Sequence, residues 1–206
     1  MVCYNISNLL TKNRRGSEGK VMQNMPCDIT MKKSNGQEKT FLLRRCVPED
    51  VDAIVALQAE VYDQIPDKKI FQNTEADEFA ESIELDQCFC FMDGDKMIAF
   101  TLMVAGRPGY RNYGEYLGYS EEQLAKTVSM DTSFVLPEYR GYGIQEYCFA
   151  LREQAAREIL GAEEALTTIS PDNAPSLNNA YKSGFEEVAR MTIYGGLERS
   201  ILRKVF

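Results

Sequence analysis

The chain contains no histidine and no tryptophan. The first absence removes Ser-His-Asp and Cys-His nucleophile pairs, histidine-ligated metals and imidazole general bases together. Among six cysteines (Cys3, Cys27, Cys46, Cys88, Cys90, Cys148) there is no C-x-x-C pair. Cys88 and Cys90 lie two apart in a strand-like run, share one face and cannot easily bridge each other. All six therefore read as reduced thiols of a cytoplasmic protein. No apolar run approaches the ~18 residues of a membrane span, and no basic-then-apolar leader opens the chain, so no membrane association is expected. Positive charge is scarce: 23 basic against 31 acidic residues leave −8, which disfavours nucleic acid as a partner. Two phosphate-binding signatures are also missing, G-x-x-x-x-G-K-[ST] and the third glycine of G-x-G-x-x-G.

What is present fits one globular domain. At 206 residues and 44% hydrophobic content, the chain can bury a sizeable core. The charge is unevenly placed. Residues 1–39 hold seven basic and three acidic residues, a net of +4 that leaves −12 for the remaining 167. This segment is rich in Asn, Ser, Lys, Gly and Met and lacks periodicity, so it reads as a flexible basic arm preceding a domain over 40–206.

From Thr40 the pattern becomes regular. Thr40–Cys46 reads as a strand, and Pro48, Glu49 and Asp50 open a helix carrying Val51, Ile54, Val55, Val61 and Tyr62 on one face. Thr74 is the expected cap of a second helix. Gln87–Met92 and Met97–Ala105 form a hairpin over Asp93-Gly94-Asp95. A short helix capped by Ser120 and a strand Ser129–Leu136 follow. A longer helix begins at Ile144, with strand Ala165–Ser170, helix Pro175–Ser183, strand Glu187–Tyr194 and a last strand Ser200–Val205. Strands that first pair by hairpin and later alternate with helices give a mixed α/β sheet.

The chemistry-bearing stretch runs from Val128 to Leu160. A strand ends at Pro137, Arg140-Gly141-Tyr142-Gly143 turns tightly, and a helix opens at Ile144. Glycines permit a close backbone approach, and the helix start offers unpaired N–H groups and positive partial charge. Together they make an anion cradle suited to a diphosphate.

The run V-x-P-x-x-R-G-x-G over Val135–Gly143, followed by Asn173, Ser176 and Gly184-Phe185, resembles the GNAT superfamily of acyl-CoA-dependent N-acyltransferases. The similarity covers residues 40–206. It implies a mixed, mostly antiparallel central sheet with helices on both faces, and acetyl-CoA as co-substrate with no metal. By that resemblance Arg140, Gly141, Tyr142, Gly143, Ile144 and Gln145 form the pyrophosphate loop. Ser133, Phe134 and Val135 would pair with the pantetheine arm, and Asn173 and Ser176 would add polar contacts. Two positions depart from the family pattern. Gln145 stands where a small residue is usual, and Ala180 stands where many members place a tyrosine. Tyr181, one residue on and rotated by about 100°, is the candidate general acid, its alternative being a surface tyrosine.

The implied reaction is direct attack of a primary amine on a thioester in a ternary complex. Deprotonating a lysine-like amine at pH 7 costs roughly 4 kcal/mol, and a carboxylate is the usual remedy. Asp131 is the candidate base, an even number of residues from Ser129 and Ser133 and hence on one face with them, unless it pairs locally. A backbone N–H near Phe134 would hold the developing oxyanion. The domain's negative charge favours a cationic acceptor by steering. Tyr110, Tyr113, Tyr116 and Tyr119 would wall the acceptor site or cover the sheet, and Glu78, Glu81 and Glu84 would line the same cleft or face solvent. Two other readings stay open: a non-catalytic acyl-CoA-binding sensor and a partner-binding adaptor. Pairing of edge strands into a homodimer is open as well.

Overall fold

The computed structural model describes residues 25–109 and 111–206. Eight strands form a single sheet: β1 (Cys27–Lys32), β2 (Glu38–Arg45), β3 (Gln87–Asp93), β4 (Lys96–Val104), β5 (Thr127–Val135), β6 (Glu164–Ile169), β7 (Glu186–Ile193) and β8 (Leu197–Val205). Their spatial order is β1-β2-β3-β4-β5-β6-β8-β7. Every pairing is antiparallel except β5 with β6.

Among the described residues five helices accompany the sheet: α1 (Val51–Asp63), α2 (Ala76–Leu85), α3 (Glu121–Ala125), α4 (Ile144–Glu158) and α5 (Ala174–Lys182). The alternation of side chains along the strands decides which helix each residue meets. Phe100 of β4 and Phe134 of β5 meet Phe79 of α2, while Phe91 of β3 meets Tyr147 of α4 on the opposite face. Both faces of the central strands are thus buried, and β4 is covered from Met97 to Val104. Among the described residues no helix is long and apolar enough to cross a membrane. Five cysteines are free thiols, four of them buried, whereas Cys3 lies outside the described residues. Burial pushes the Cys148 thiol up to about 11, as expected of a core thiol.

Several boundaries differ from expectation by a residue or more, and three have a clear physical reason. The sheet begins at Cys27, inside the segment read as an arm, because Ile29 and Met31 are 1% exposed and alternate with polar residues in C-D-I-T-M-K. Residues 1–24 of that segment lie outside the described residues. The second helix starts one residue later than expected, with Glu75 and Glu78 forming the capping box. The carbonyl of Thr74 instead accepts from Gln58 on α1. The last strand begins at Leu197, immediately after a tight turn at Gly195-Gly196.

Candidate active site

β5 and β6 pair over only three positions, Thr127↔Glu164 to Ser129↔Leu166, although β5 continues to Val135 against β4. Beyond Ser129 the two parallel strands part, and the outer half of β5 has an open edge. Leu136 N–H donates to the Ile98 carbonyl. By antiparallel alternation the N–H of Phe134 turns to β4, and those of Ser133 and Val135 turn to the open side.

The register between β4 and β5 steps from Thr101↔Ser133 to Met103↔Met130. One extra residue is therefore inserted in β5, and Asp131 and Thr132 together oppose Leu102. The bulge corrects the face assignment made from spacing alone. Ser129 and Asp131 both meet the Arg111–Tyr113 segment: Tyr113 N–H donates to Ser129 Oγ at 3.1 Å, and Tyr113 Oη donates to Asp131 Oδ1 at 2.8 Å. Past the bulge it is Phe134 that faces α2. Ser133 turns to the opposite face, 2.7 Å from the Thr101 hydroxyl.

At the end of β5 a single 3-10 turn, Pro137–Tyr139, leads into the glycine loop. Gly141 (φ 84°) and Gly143 (φ 80°) occupy the left-handed region that favours glycine. Gly143 is the N-cap of α4 and supplies no side-chain cap, so the N–H groups of Ile144, Gln145 and Glu146 have no intrahelical acceptor. The loop is held from outside. Tyr139 Oη donates to Asp93 at 2.6 Å, which together with burial raises this tyrosine to about 12. Lys33, from the β1–β2 hairpin, donates to the Glu138 carbonyl at 3.1 Å and lies 4.6 Å from the Tyr142 ring centroid. The Tyr142 side chain is buried against Phe41, so only its backbone is available to a ligand. Arg140 is exposed.

Gln145 points away from the loop and bridges α4 to α5. Its Oε1 accepts from Asn179 at 2.6 Å, and its Nε2 lies 3.4 Å from Ser176 Oγ. Asn173 caps α5 by accepting from Ser176 N–H at 3.2 Å.

Two cavities meet here. One is lined by the glycine loop, the start of α4 and Val135. The other lies around Asp131 and Arg111. They share Ile70, Phe71, Ser133, Gln145, Asn173 and Ser176, so they form one continuous cleft across the opening between β5 and β6. Of the residues singled out from the sequence for cofactor binding, Ser133, Phe134, Val135, Arg140, Gly141, Gly143, Ile144, Gln145, Asn173 and Ser176 all reach this cleft. Tyr142 lines neither cavity.

The two catalytic candidates fare differently. Asp131 lines the second cavity, but its carboxylate is already engaged. Oδ2 accepts from Arg111 Nη2 at 2.7 Å and Nε at 3.0 Å, and Oδ1 accepts from Tyr113. Oδ1 also accepts a long contact from the Thr132 hydroxyl at 3.5 Å, so all of the roughly four acceptor positions of the carboxylate are engaged. Tyr181 is 45% exposed, lies beside Glu187 and lines neither cavity. The inward position on α5 is Ala180, fully buried, which turns Tyr181 to solvent.

Spacing alone did not reveal Tyr194, which lines the second cavity. The turn into Gly195-Gly196 holds it at φ 52°, a conformation costly for a residue with a Cβ. Its hydroxyl lies 3.1 Å from that of Thr168, and Tyr113 is its neighbour on the wall. Burial raises Tyr194 to about 12. The wall thus carries a Thr168–Tyr194 hydroxyl pair beside a hydrogen-bonded run from Tyr113 through Asp131 to Arg111. Tyr116 and Tyr119 pack instead with Leu166 and Ile201, and Tyr110 lies outside the described residues. Of the three glutamates on α2, Glu78 alone lines the cavity.

Among the described residues, Cys46, Asp50 and Cys90 bring three potential metal ligands within 4.8 Å of one another. Arg44 donates to both Asp50 oxygens, at 2.6 and 2.8 Å, and so places a guanidinium where a cation would sit. The group lines neither cavity.

By sequence, no family model and no curated protein matches the chain. Solved structures do match by shape. An N-acetyltransferase from Staphylococcus aureus Mu50 aligns with a TM-score of 0.62 at 16% identity, covering 81% of this chain and 99% of that one. An acetyltransferase of the GNAT family from Streptococcus pneumoniae gives 0.61 at 13% identity, covering 81% and 99%. The yncA protein of Salmonella typhimurium, solved with its cofactor acetyl-CoA, gives 0.59 at 15% identity, covering 80% and 93%. With eight strands in this order and one parallel pair that parts over an uncapped helix start, the chain has the GNAT acetyltransferase fold.

Proposed function

We propose that this protein is an acetyl-CoA-dependent N-acetyltransferase that acylates a primary amine by direct attack in a ternary complex. The observation that carries the reading is the opening between β5 and β6 directly beside the uncapped start of α4. Acetyl-CoA would supply a thioester-activated acetyl group. The N–H groups of Gly143–Glu146 and the charge of Arg140 suit its pyrophosphate. The free N–H and C=O groups of Ser133 and Val135 suit an extended amide-bearing arm, and Asn173 and Ser176 suit its polar flank. Gln145 leaves the loop free by crossing to α5.

In this reading the amine enters from the Asp131 side. Asp131 Oδ1 exchanges its long 3.5 Å contact with the Thr132 hydroxyl for the amine or the water that takes its proton. The N–H of Ser133 or Val135, rather than that of Phe134, holds the oxygen that gains charge. Tyr194, kept protonated to about 12, is placed in the wall to return a proton where Tyr181 is not. No protein nucleophile is needed, consistent with the buried cysteines.

A second reading, a module that holds acyl-CoA without turnover, draws on the outward Tyr181. Calorimetric titration with acetyl-CoA, followed by thiol release in the presence of a primary-amine pool, separates the two. Micromolar binding with amine-dependent release is expected. Binding without release from a broad pool would favour the binding module, and no binding would overturn both.

A further inference from the structure

The acceptor-side cavity holds more positive charge than its own carboxylates balance. Arg152 and Arg199 both line it and are 1% and 3% exposed. Arg111, the third arginine there, is matched by Asp131 at 2.7 Å. Glu78, the other carboxylate of the wall, accepts from Glu75 N–H in the cap of α2. Among the described residues no carboxylate lies within ion-pair distance of Arg152 or Arg199.

Their hydrogen bonds within the protein go to backbone carbonyls, and each guanidinium also lies over a ring, Arg152 at 4.9 Å from the Phe149 centroid and Arg199 at 5.8 Å from that of Tyr194. Arg152 donates from Nε to Cys148 and from Nη1 to Leu102, the carbonyl opposite the β5 bulge. Arg199 donates from Nη1 to Glu198 and from Nη2 to Lys69, tying β8 to the segment that precedes α2. A guanidinium has five N–H donors, so each retains three beyond these contacts. A neutral amide could satisfy the same carbonyls without the cost of burying a charge. Burial lowers both arginines, Arg152 to about 10. Neither lines the cavity beside the glycine loop, so they are not part of the diphosphate cradle.

We infer that the acceptor is an amine that also bears a carboxylate, an amino-acid-like zwitterion whose anionic end is held by Arg199 and Arg152 while its nitrogen faces Asp131. The inference rests on the transferase reading above and replaces the cationic acceptor expected from net charge. That expectation weighed the surface, whereas the wall is locally cationic. A planar carboxylate suits guanidinium donors.

The test compares matched pairs: phenylalanine with phenethylamine, leucine with isopentylamine, arginine with agmatine, and β-alanine with ethylamine. Phosphoethanolamine is included as an amine with a different anion. Acetyl-CoA-dependent thiol release should favour the carboxylated member of at least one pair by about 30-fold in kcat/KM. In Arg199→Gln that ratio should fall toward one, and Arg199→Lys should recover part of it; thermal unfolding checks that both variants are folded. Equal or better turnover of the decarboxylated amines would overturn the inference and leave the transferase reading intact. Preference for phosphoethanolamine over every carboxylated amine would overturn the choice of carboxylate. If acetyl-CoA fails to bind or nothing is turned over, calorimetry with the two amine pools, with and without acetyl-CoA, still decides. Heat from the amino acids that is lost in Arg199→Gln supports the inference, and heat from neither pool, or equally from both, overturns it.

Discussion

The two sides of the cleft are built in different ways. The side proposed for the cofactor takes its backbone cradle from one continuous stretch, Ser133 to Glu146, faced by the end of α1 and the connection after it, from Val61 to Phe71, and by the start of α5. The acceptor side takes Phe71 and Glu78 from around α2, Arg111 and Tyr113 from the connection after β4, and Asp131 from β5. Arg152 of α4, Thr168 of β6, and Tyr194 and Arg199 of the β7–β8 hairpin complete it. A site made by local backbone geometry depends on a few glycines and a helix start without a side-chain cap. A site assembled across the fold depends on buried partners that must all arrive together. The first should be sensitive in binding and the second in stability.

Replacing Asp131 by alanine should produce the largest effect. Arg111 and the Tyr113 hydroxyl would lose their acceptor in a mostly buried setting, at a cost of about 3–5 kcal/mol, which lowers the melting temperature by ~10 °C. Acetyl-CoA affinity should change less than threefold. A normal melt with lost acetyl-CoA binding would break the contrast.

Gly143→Ala should do the reverse. A Cβ at φ 80° costs roughly 1–2 kcal/mol. If the loop reshapes to relieve it, the dissociation constant for acetyl-CoA should rise about tenfold. Calorimetry and a thermal melt on the same sample would separate the two terms.

Alkaline titration sharpens the comparison further. Tyr139 beside the glycine loop and Tyr194 in the acceptor wall both sit near 12, against about 10 in an unfolded chain. Between these values the unfolded state has released protons that the folded state retains, so stability falls as pH rises from about 10 to 12, with none of it lost below 10. The causes differ: Tyr139 owes its shift first to Asp93, and Tyr194 to burial. Asp93→Asn should therefore return Tyr139 toward 10 in an ultraviolet titration and leave Tyr194 unmoved. Movement of both would sink this distinction.

The smallest effect belongs to Tyr181→Phe. Its exposed side chain should carry less than ~0.5 kcal/mol of stability, and turnover should stay within twofold. A hundredfold loss of turnover would restore it as the general acid.

The same contrast explains what could be read in advance. The strand, Pro137, the paired glycines and the helix start are neighbours in sequence, so their geometry follows from local rules, as does the β3–β4 turn at Gly94. Asp131 was found, but the bulge beside it changed its company, because a one-residue insertion leaves no mark in period-two spacing. β1 escaped because six residues of alternation sit beside a long polar stretch that dominated the composition. Arg152 left a usable signal: it lies four residues after Cys148 and three before Ala155, inside the apolar stripe of α4. Arg199 left a weaker one, two residues before buried Ile201 on β8. Neither could be assigned to the cavity before the fold brought their strands and helices around it.

Amide hydrogen exchange with and without acetyl-CoA tests the central placement most directly. Added acetyl-CoA should slow exchange at Gly141–Glu146 and at Ser133 and Val135, with Phe134 changed less because its N–H already pairs with β4. Protection that spares residues 141–146, or that falls on another surface altogether, would contradict the account.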